Sequence, residues 1–96
     1  MEIFKRCFMT TYYADGVDFD WPCSVRIDED LIVVEYAGEQ GSVIYRGSSL
    51  GAGHYKMRKD GGGGEATLHR FSGGEILEGF WIEDVQDGMW KIRLGN

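Results

Sequence analysis

The sequence is poor in the residues that mark several large classes of protein. It has one proline and two cysteines among 96 residues, and no apolar run approaches the ~20 residues of a membrane-spanning helix. Its 10 basic residues are outnumbered by 16 acidic ones, which gives a formal net charge of −6. Nucleic-acid binding requires a clustered basic face. We therefore expect neither a nucleic acid nor a membrane among the partners.

The first residues and the cysteines bear on location. The opening Met-Glu-Ile-Phe-Lys-Arg-Cys is interrupted by charges, so it lacks the apolar core of a secretory signal. We expect a cytoplasmic protein in which Cys7 and Cys23 are reduced thiols and not a disulfide. Neither cysteine belongs to a Cys-x-x-Cys pair, and two cysteines alone do not form a structural zinc site. No cofactor is predicted.

Glycine and aromatic residues are plentiful, and their arrangement indicates strands. Turn sequences such as Asp15-Gly16 and Asp87-Gly88 separate runs of six to ten residues rich in Val, Ile, Tyr, Phe and Trp. No segment has a convincing helical period, so the spacing predicts antiparallel strands joined by hairpins. The predicted strands are 3–13, 17–27 with a break at Pro22, 31–37, 42–47, 53–59, 64–71, 76–85 and 89–94.

These strands predict an all-β fold in one domain, residues 1–96. With no helix to cover its apolar face, an antiparallel sheet must curl on itself or pack against another sheet. About eight short strands suit an up-and-down meander, and closure of such a meander removes exposed edges. We therefore predict a small barrel or a strongly curved sheet.

Hairpin register provides a test of which residues share a face, because directly opposed residues point to the same side. We assign loops at 38–41, 48–52, 60–63 and 72–75 and a two-residue turn at Asp87-Gly88. The opposed pairs then include Tyr36–Val43, Val34–Tyr45, Tyr45–Tyr55, Tyr55–Leu68, Met57–Ala66, Leu68–Gly79, Ala66–Trp81, Trp81–Leu94 and Val85–Trp90. The predicted inner face comprises Ile32, Val34, Tyr36, Val43, Tyr45, Tyr55, Met57, Ala66, Leu68, Leu77, Trp81, Val85, Trp90, Ile92 and Leu94.

Five aromatic residues on that inner face are candidates for ligand binding: Tyr36, Tyr45, Tyr55, Trp81 and Trp90. Their ordinary role would be core packing. Buried tyrosine hydroxyls need hydrogen-bond partners, and phenol and indole groups among apolar walls are typical of a small-molecule pocket. The first functional hypothesis is therefore non-enzymatic binding of a small apolar or aromatic ligand.

The same register aligns His54, His69 and Glu78 across three strands of the other face. Two histidines and a carboxylate form the ligand set of non-haem iron sites and of some zinc sites. A plain His–Glu ion pair would explain the same residues, and the cationic Lys56 and Arg58 share the face. A metal-dependent enzyme that uses these three residues is one alternative function.

A second alternative is an interaction or assembly module that acts as a homodimer. The outer face carries an apolar set, more than a small monomer normally exposes as one patch. Burial of about 800 Å² on each partner would give a stable interface. The residues are Val33, Ile44, Phe71, Ile76, Phe80, Ile82 and Met89.

Two local motifs are interpreted as turns. The glycines of the segment 47–53 are not followed by the helix that a phosphate-binding loop requires. The acidic residues Asp18, Asp20 and those at 28–30 lack the spacing of a calcium-binding EF-hand loop. We assign both to solvated turn positions.

Half of the chain resembles the later strands of calycin-type meanders, the group of lipocalins, fatty-acid-binding proteins and avidins. The resemblance runs from Tyr45-Arg-Gly through Gly53-His-Tyr, Ala66-Thr-Leu-His and Leu77-Glu-Gly-Phe-Trp to Gly88-Met-Trp-Lys-Ile. The lipocalin Gly-x-Trp motif belongs to the first strand, whereas Gly79-Phe80-Trp81 lies near the C-terminus. The resemblance implies a β-meander with a ligand in its mouth, and no family binding residue is carried over.

Overall fold

The computed structural model describes residues 1–96, which form eight strands joined by short turns. The strands are β1 (Glu2–Tyr13), β2 (Gly16–Ile27), β3 (Leu31–Gly38), β4 (Gly41–Gly51), β5 (His54–Lys59), β6 (Gly64–His69), β7 (Ile76–Glu83) and β8 (Gln86–Arg93). In β5 to β8 the side chains alternate between the interior and the surface, which is the two-residue period of a pleated strand. No helix of a length and apolarity suited to crossing a membrane is present.

The eight strands close into a barrel. Each strand pairs antiparallel with the next one along the chain, and β1 also pairs with β8. The closing ladder runs from Phe8 opposite Arg93 to Tyr12 opposite Met89. The predicted all-β meander is therefore confirmed, and the structure selects the barrel over the open curved sheet. Closure pairs the two outer strands of the meander with each other.

Three hairpins have the predicted register. Tyr36 opposes Val43 between β3 and β4, and Tyr55 opposes Leu68 between β5 and β6. Leu68 in turn opposes Gly79 between β6 and β7. The alternation of apolar residues and the turn positions were sufficient to fix these pairs.

The predicted register between β4 and β5 is wrong. Tyr45 opposes Lys59 and not Tyr55, because β4 continues to Gly51 and the chain reverses over Ala52 and Gly53. Both turn residues have positive φ angles, 52° and 79°, as a tight hairpin turn requires. A side chain at Gly53 would also collide with the carbonyl oxygen of Arg70.

The predicted Asp87-Gly88 turn is also wrong. The chain reverses at Asp84 and Val85, so Trp81 opposes Gly88 and not Leu94. Asp84 adopts a φ of 54°, which aspartate tolerates better than most residues. Val85, predicted to face inward opposite Trp90, is fully exposed at the turn.

Strand ends differ accordingly from the predicted ones. β6 ends at His69, β7 ends at Glu83 and β8 begins at Gln86. β2 is not broken at Pro22, which lies opposite Phe8 of β1. Pro22 is tolerated because the ladder between β2 and β3 begins one residue later, at Cys23 opposite Tyr36, so no hydrogen bond of that ladder needs its nitrogen.

Both register errors preserve the predicted faces. The partner of Tyr45 moves from position 55 to 59 and that of Trp81 from 94 to 88, and even shifts leave side chains on the same side. The predicted inner residues therefore fill the barrel or pack against its core, except Val85. The first two strands add Cys7, Met9, Cys23, Val25 and Ile27 to that core.

Truncation of Leu68 and of Val85 tests this packing. Leu68 has no exposed surface and Val85 is fully exposed. Leu68→Ala should lower the free energy of unfolding by about 2–5 kcal/mol, since it leaves a cavity. Val85→Ala should change it by less than about 0.5 kcal/mol. Urea denaturation measures both changes in the free energy of unfolding. A comparable loss of stability for Val85→Ala would contradict the exposed position of Val85 and support the inward position predicted from the sequence.

Candidate functional site

A cavity of about 260 Å³ opens at one end of the barrel. We call this end the mouth. It is formed by the β1–β2, β3–β4 and β7–β8 hairpins, which an up-and-down meander brings to the same end. The interior holds a core of 17 buried side chains, three of which (Met9, Trp81 and Trp90) also line the cavity. The lining includes Met9, Thr11, Tyr13, Asp18, Trp21, Tyr36, Glu39, Trp81, Glu83, Gln86 and Trp90.

Five aromatic residues line the cavity, and four of them are in ring-to-ring contact. The ring centroids of Tyr13 and Trp81 lie 5.6 Å apart at 76°, and those of Tyr36 and Trp90 lie 6.2 Å apart at 83°. The two indoles are 6.4 Å apart and tilted by 32°. Such edge-to-face pairs contribute about 0.5–1.5 kcal/mol beyond the burial of their area. They hold the rings in place before any ligand binds.

Gly88 makes room for one of these rings. A side chain on Gly88 would collide with the carbonyl oxygen of Tyr12 and with the indole of Trp81. The Trp81 indole is 3% exposed, and its Nε1 has no hydrogen-bond acceptor within the protein. A buried donor of this kind costs free energy until it finds an acceptor.

Carboxylates anchor the phenols beside the cavity. The Tyr13 hydroxyl donates to Asp18 Oδ2 at 3.0 Å, and the Tyr45 hydroxyl donates to the Glu83 carboxylate. Burial, and then the hydrogen bond to Asp18, raises the pKa of Tyr13. Burial, followed by the Glu83 hydrogen bond and charge, raises the pKa of Tyr45. Both phenols therefore remain neutral hydrogen-bond donors at physiological pH.

Three of the five predicted ligand residues line the cavity. Tyr36, Trp81 and Trp90 form part of its wall. Tyr45 lies behind the wall, with its ring centroid 4.9 Å from that of Trp90. Tyr55 is buried opposite Ser49 and Leu68 and does not reach the cavity.

The sequence prediction missed the contribution of the first hairpin. Tyr13, Asp18 and Trp21 also line the cavity. Asp18 was assigned to a solvated turn, but it lies within β2 opposite Thr11. Pairing Tyr13 with Gly16 across the Asp15 turn would have given the β1–β2 register next to the turn, but a register shift between Met9 and Thr11 changes the pairing at Trp21. It would not have shown that this hairpin lies beside β8.

The histidines lie in a separate groove on the outer surface. His54 opposes His69 and His69 opposes Glu78, as predicted. The two Nδ1 atoms are 2.6 Å apart, and the groove, about 480 Å³ in volume, is also lined by Phe71, Glu78 and Met89. No group of three His, Cys, Asp or Glu side chains is arranged to hold a metal ion. Of the three predicted metal ligands, His54 and His69 are therefore in contact with each other.

Cys7 and Cys23 oppose each other on β1 and β2, and both thiols are free. Burial raises the pKa of Cys23 to about 12 and also raises that of Cys7. Protonated, buried thiols are poor nucleophiles. Their position in the core assigns them a packing role.

Comparison with protein families, with curated proteins and with solved structures finds no match to this chain. The eight-stranded antiparallel closed barrel agrees with the architecture implied by the resemblance to calycin meanders.

Zinc titration tests the metal hypothesis. Because only His54 and His69 meet, we expect weak binding that adds about 0.4 kcal/mol, or about 2–3 °C in Tm, at a zinc concentration equal to Kd. His69→Ala should abolish this rise and Glu78→Gln should preserve it. A rise that depends on Glu78 would show that all three residues bind the ion, and no rise at any concentration would end the hypothesis.

Proposed function

We propose that this protein is a non-enzymatic barrel that binds a small apolar or aromatic molecule at its mouth. The observation that carries the proposal is the set of five aromatic rings around one cavity: Tyr13, Trp21, Tyr36, Trp81 and Trp90. Ligand sites combine such apolar walls with a few fixed polar groups. Here the polar groups are the carboxylates of Asp18, Glu39 and Glu83 with Thr11 and Gln86.

The size of the cavity limits the ligand. Its volume of about 260 Å³ is below the ~300–1,000 Å³ of sites for drug-sized molecules. Buried apolar side chains fill the core next to it. Eight-stranded barrels either fill their interior with side chains or hold one small ligand, and this barrel combines a filled interior with a small site at the end.

Binding of small compounds tests this function. We expect members of a set of small apolar and aromatic compounds, neutral and charged, to perturb NMR signals of the mouth and tryptophan fluorescence. Trp21→Ala should weaken binding about three- to tenfold, since one exposed wall ring is lost. Leu50→Ala, which removes an exposed side chain of β4 outside the cavity, is the matched control.

Native mass spectrometry of the purified protein adds a test for a co-purified ligand. Failure of every compound to bind, together with a ligand-free mass, would overturn the proposed function. Equal effects of the Trp21 and Leu50 substitutions would place binding elsewhere.

Self-association is the second candidate function, and the outer face of β7 and β8 favours it. Phe80 and Ile82 are each 43% exposed, Met89 is 50% exposed and Phe71 is 92% exposed. Phe80 and Met89 oppose each other directly. Of the other residues in the predicted patch, Val33 and Ile44 lie across the barrel on β3 and β4, so the apolar surface available to a partner is smaller than the sequence indicated.

Light scattering tests this second function. A dimer would have twice the 10.8 kDa mass of the chain, and at ~100 µM protein mass action favours it. Phe80→Glu should return the mass to that of a monomer, because it places a charge within the interface. Leu50→Glu on β4 is the control and should leave the dimer intact. A monomeric mass for the unmodified protein would exclude the dimer.

A further inference from the structure

The mouth cavity is negatively charged. Asp18, Glu39 and Glu83 line it, and no Lys, Arg or His does. A neighbouring groove between the β1–β2 and β7–β8 turns adds Asp15 and Asp87. Outside the lining, Lys59 Nζ lies 4.0 Å from Glu83 Oε1. Carboxylates therefore outnumber cations at this end of the barrel.

Aromatic rings surround the same space. The face of an indole or phenol ring carries negative electrostatic potential and attracts a cation within about 6 Å. Rings and carboxylates together favour one charge type of ligand, since both attract positive charge. An anionic ligand would meet repulsion from both.

Nearby carboxylates contribute to the raised pKa values of two wall phenols. Burial makes the largest contribution to the raised pKa of Tyr36, and the charge of Glu83 adds to it. The charges of Glu83 and Glu39 also add to the raised pKa of Tyr13. The carboxylate contributions agree with the negative lining of the cavity, and these charges would favour a cation.

We propose that the mouth cavity binds a small organic ammonium ion. This inference rests on the proposed binding function and specifies its ligand class. The small volume favours a free molecule with an alkylated ammonium group over a large amphiphile. Alkylated lysine side chains of other proteins offer the same chemistry, and the experiment separates the two sources.

The probes are choline and its neutral carbon isostere, 3,3-dimethylbutan-1-ol, which have nearly the same shape and the same hydroxyl. Tryptophan fluorescence and isothermal titration calorimetry on the full chain give both Kd values. Choline should bind at least about tenfold more tightly, because only the ammonium ion is attracted by rings and carboxylates. Added salt should weaken choline binding and leave that of the alcohol unchanged.

A pair of double variants with equal change in charge tests the role of the mouth. Asp18→Asn with Glu39→Gln should weaken choline binding about five- to tenfold and leave binding of the alcohol unchanged. Asp28→Asn with Glu29→Gln removes two charges in the exposed β2–β3 turn at the other end, and it should change choline binding less than about twofold. Urea denaturation verifies that all variants remain folded.

Different outcomes of these experiments would overturn different proposals. Equal affinity for choline and the alcohol, or equal loss in both double variants, would overturn the ammonium assignment while the small-molecule function stands. No binding of either probe or of any neutral compound would overturn both. A peptide with trimethylated lysine that binds more than about tenfold tighter than choline would overturn the assignment to a free molecule.

Discussion

The rest of the structure depends on the ladder between β1 and β8. It joins Met9 to Ile92 and Thr11 to Trp90, so it closes the interior and at the same time builds one side of the mouth cavity. A backbone hydrogen bond from the Arg6 N–H to the Gly95 carbonyl extends the closure toward the opposite end. Without this ladder, the apolar side chains of an eight-stranded sheet would face solvent, and both outer strands would expose unpaired backbone groups.

Which face each residue occupies could be predicted from the sequence, but register could be predicted only in part. Facing follows from alternation, and an even error in hairpin length does not alter it. Register depends on which residues form the turn. Ala52 and Asp84 adopt positive φ, although neighbouring glycines offered the more usual turn sequences. Gly47 and Gly88 are used within strands instead of in the turns. At both positions a side chain would collide with a neighbouring strand, and at Gly88 also with the Trp81 ring.

The candidate site was predicted to the extent that it lies on consecutive hairpins. Tyr36, Trp81 and Trp90 were found because hairpin register from β3 onward places them on the inner face. Tyr13 and Trp21 were missed because their place beside Trp81 and Trp90 depends on closure, a contact between the two ends of the chain. The negative charge of the mouth could not be predicted from the sequence for a related reason. A net charge of −6 does not show which end of the barrel carries the acidic turns until the meander brings alternate turns together.

The packed interior of the barrel adjoins the candidate site at its mouth. Below the mouth, Tyr45 places its ring against Trp90 and its hydroxyl on Glu83, so the polar atom of the largest fully buried side chain is satisfied. At the mouth, Trp81 belongs to this core and also lines the cavity, and its Nε1 is buried without an acceptor. An unsatisfied donor of this kind costs about 1–3 kcal/mol. Gly88 leaves the room in which the indole packs, so the position of this ring, and with it one wall of the candidate site, is set by packing and not by a hydrogen bond.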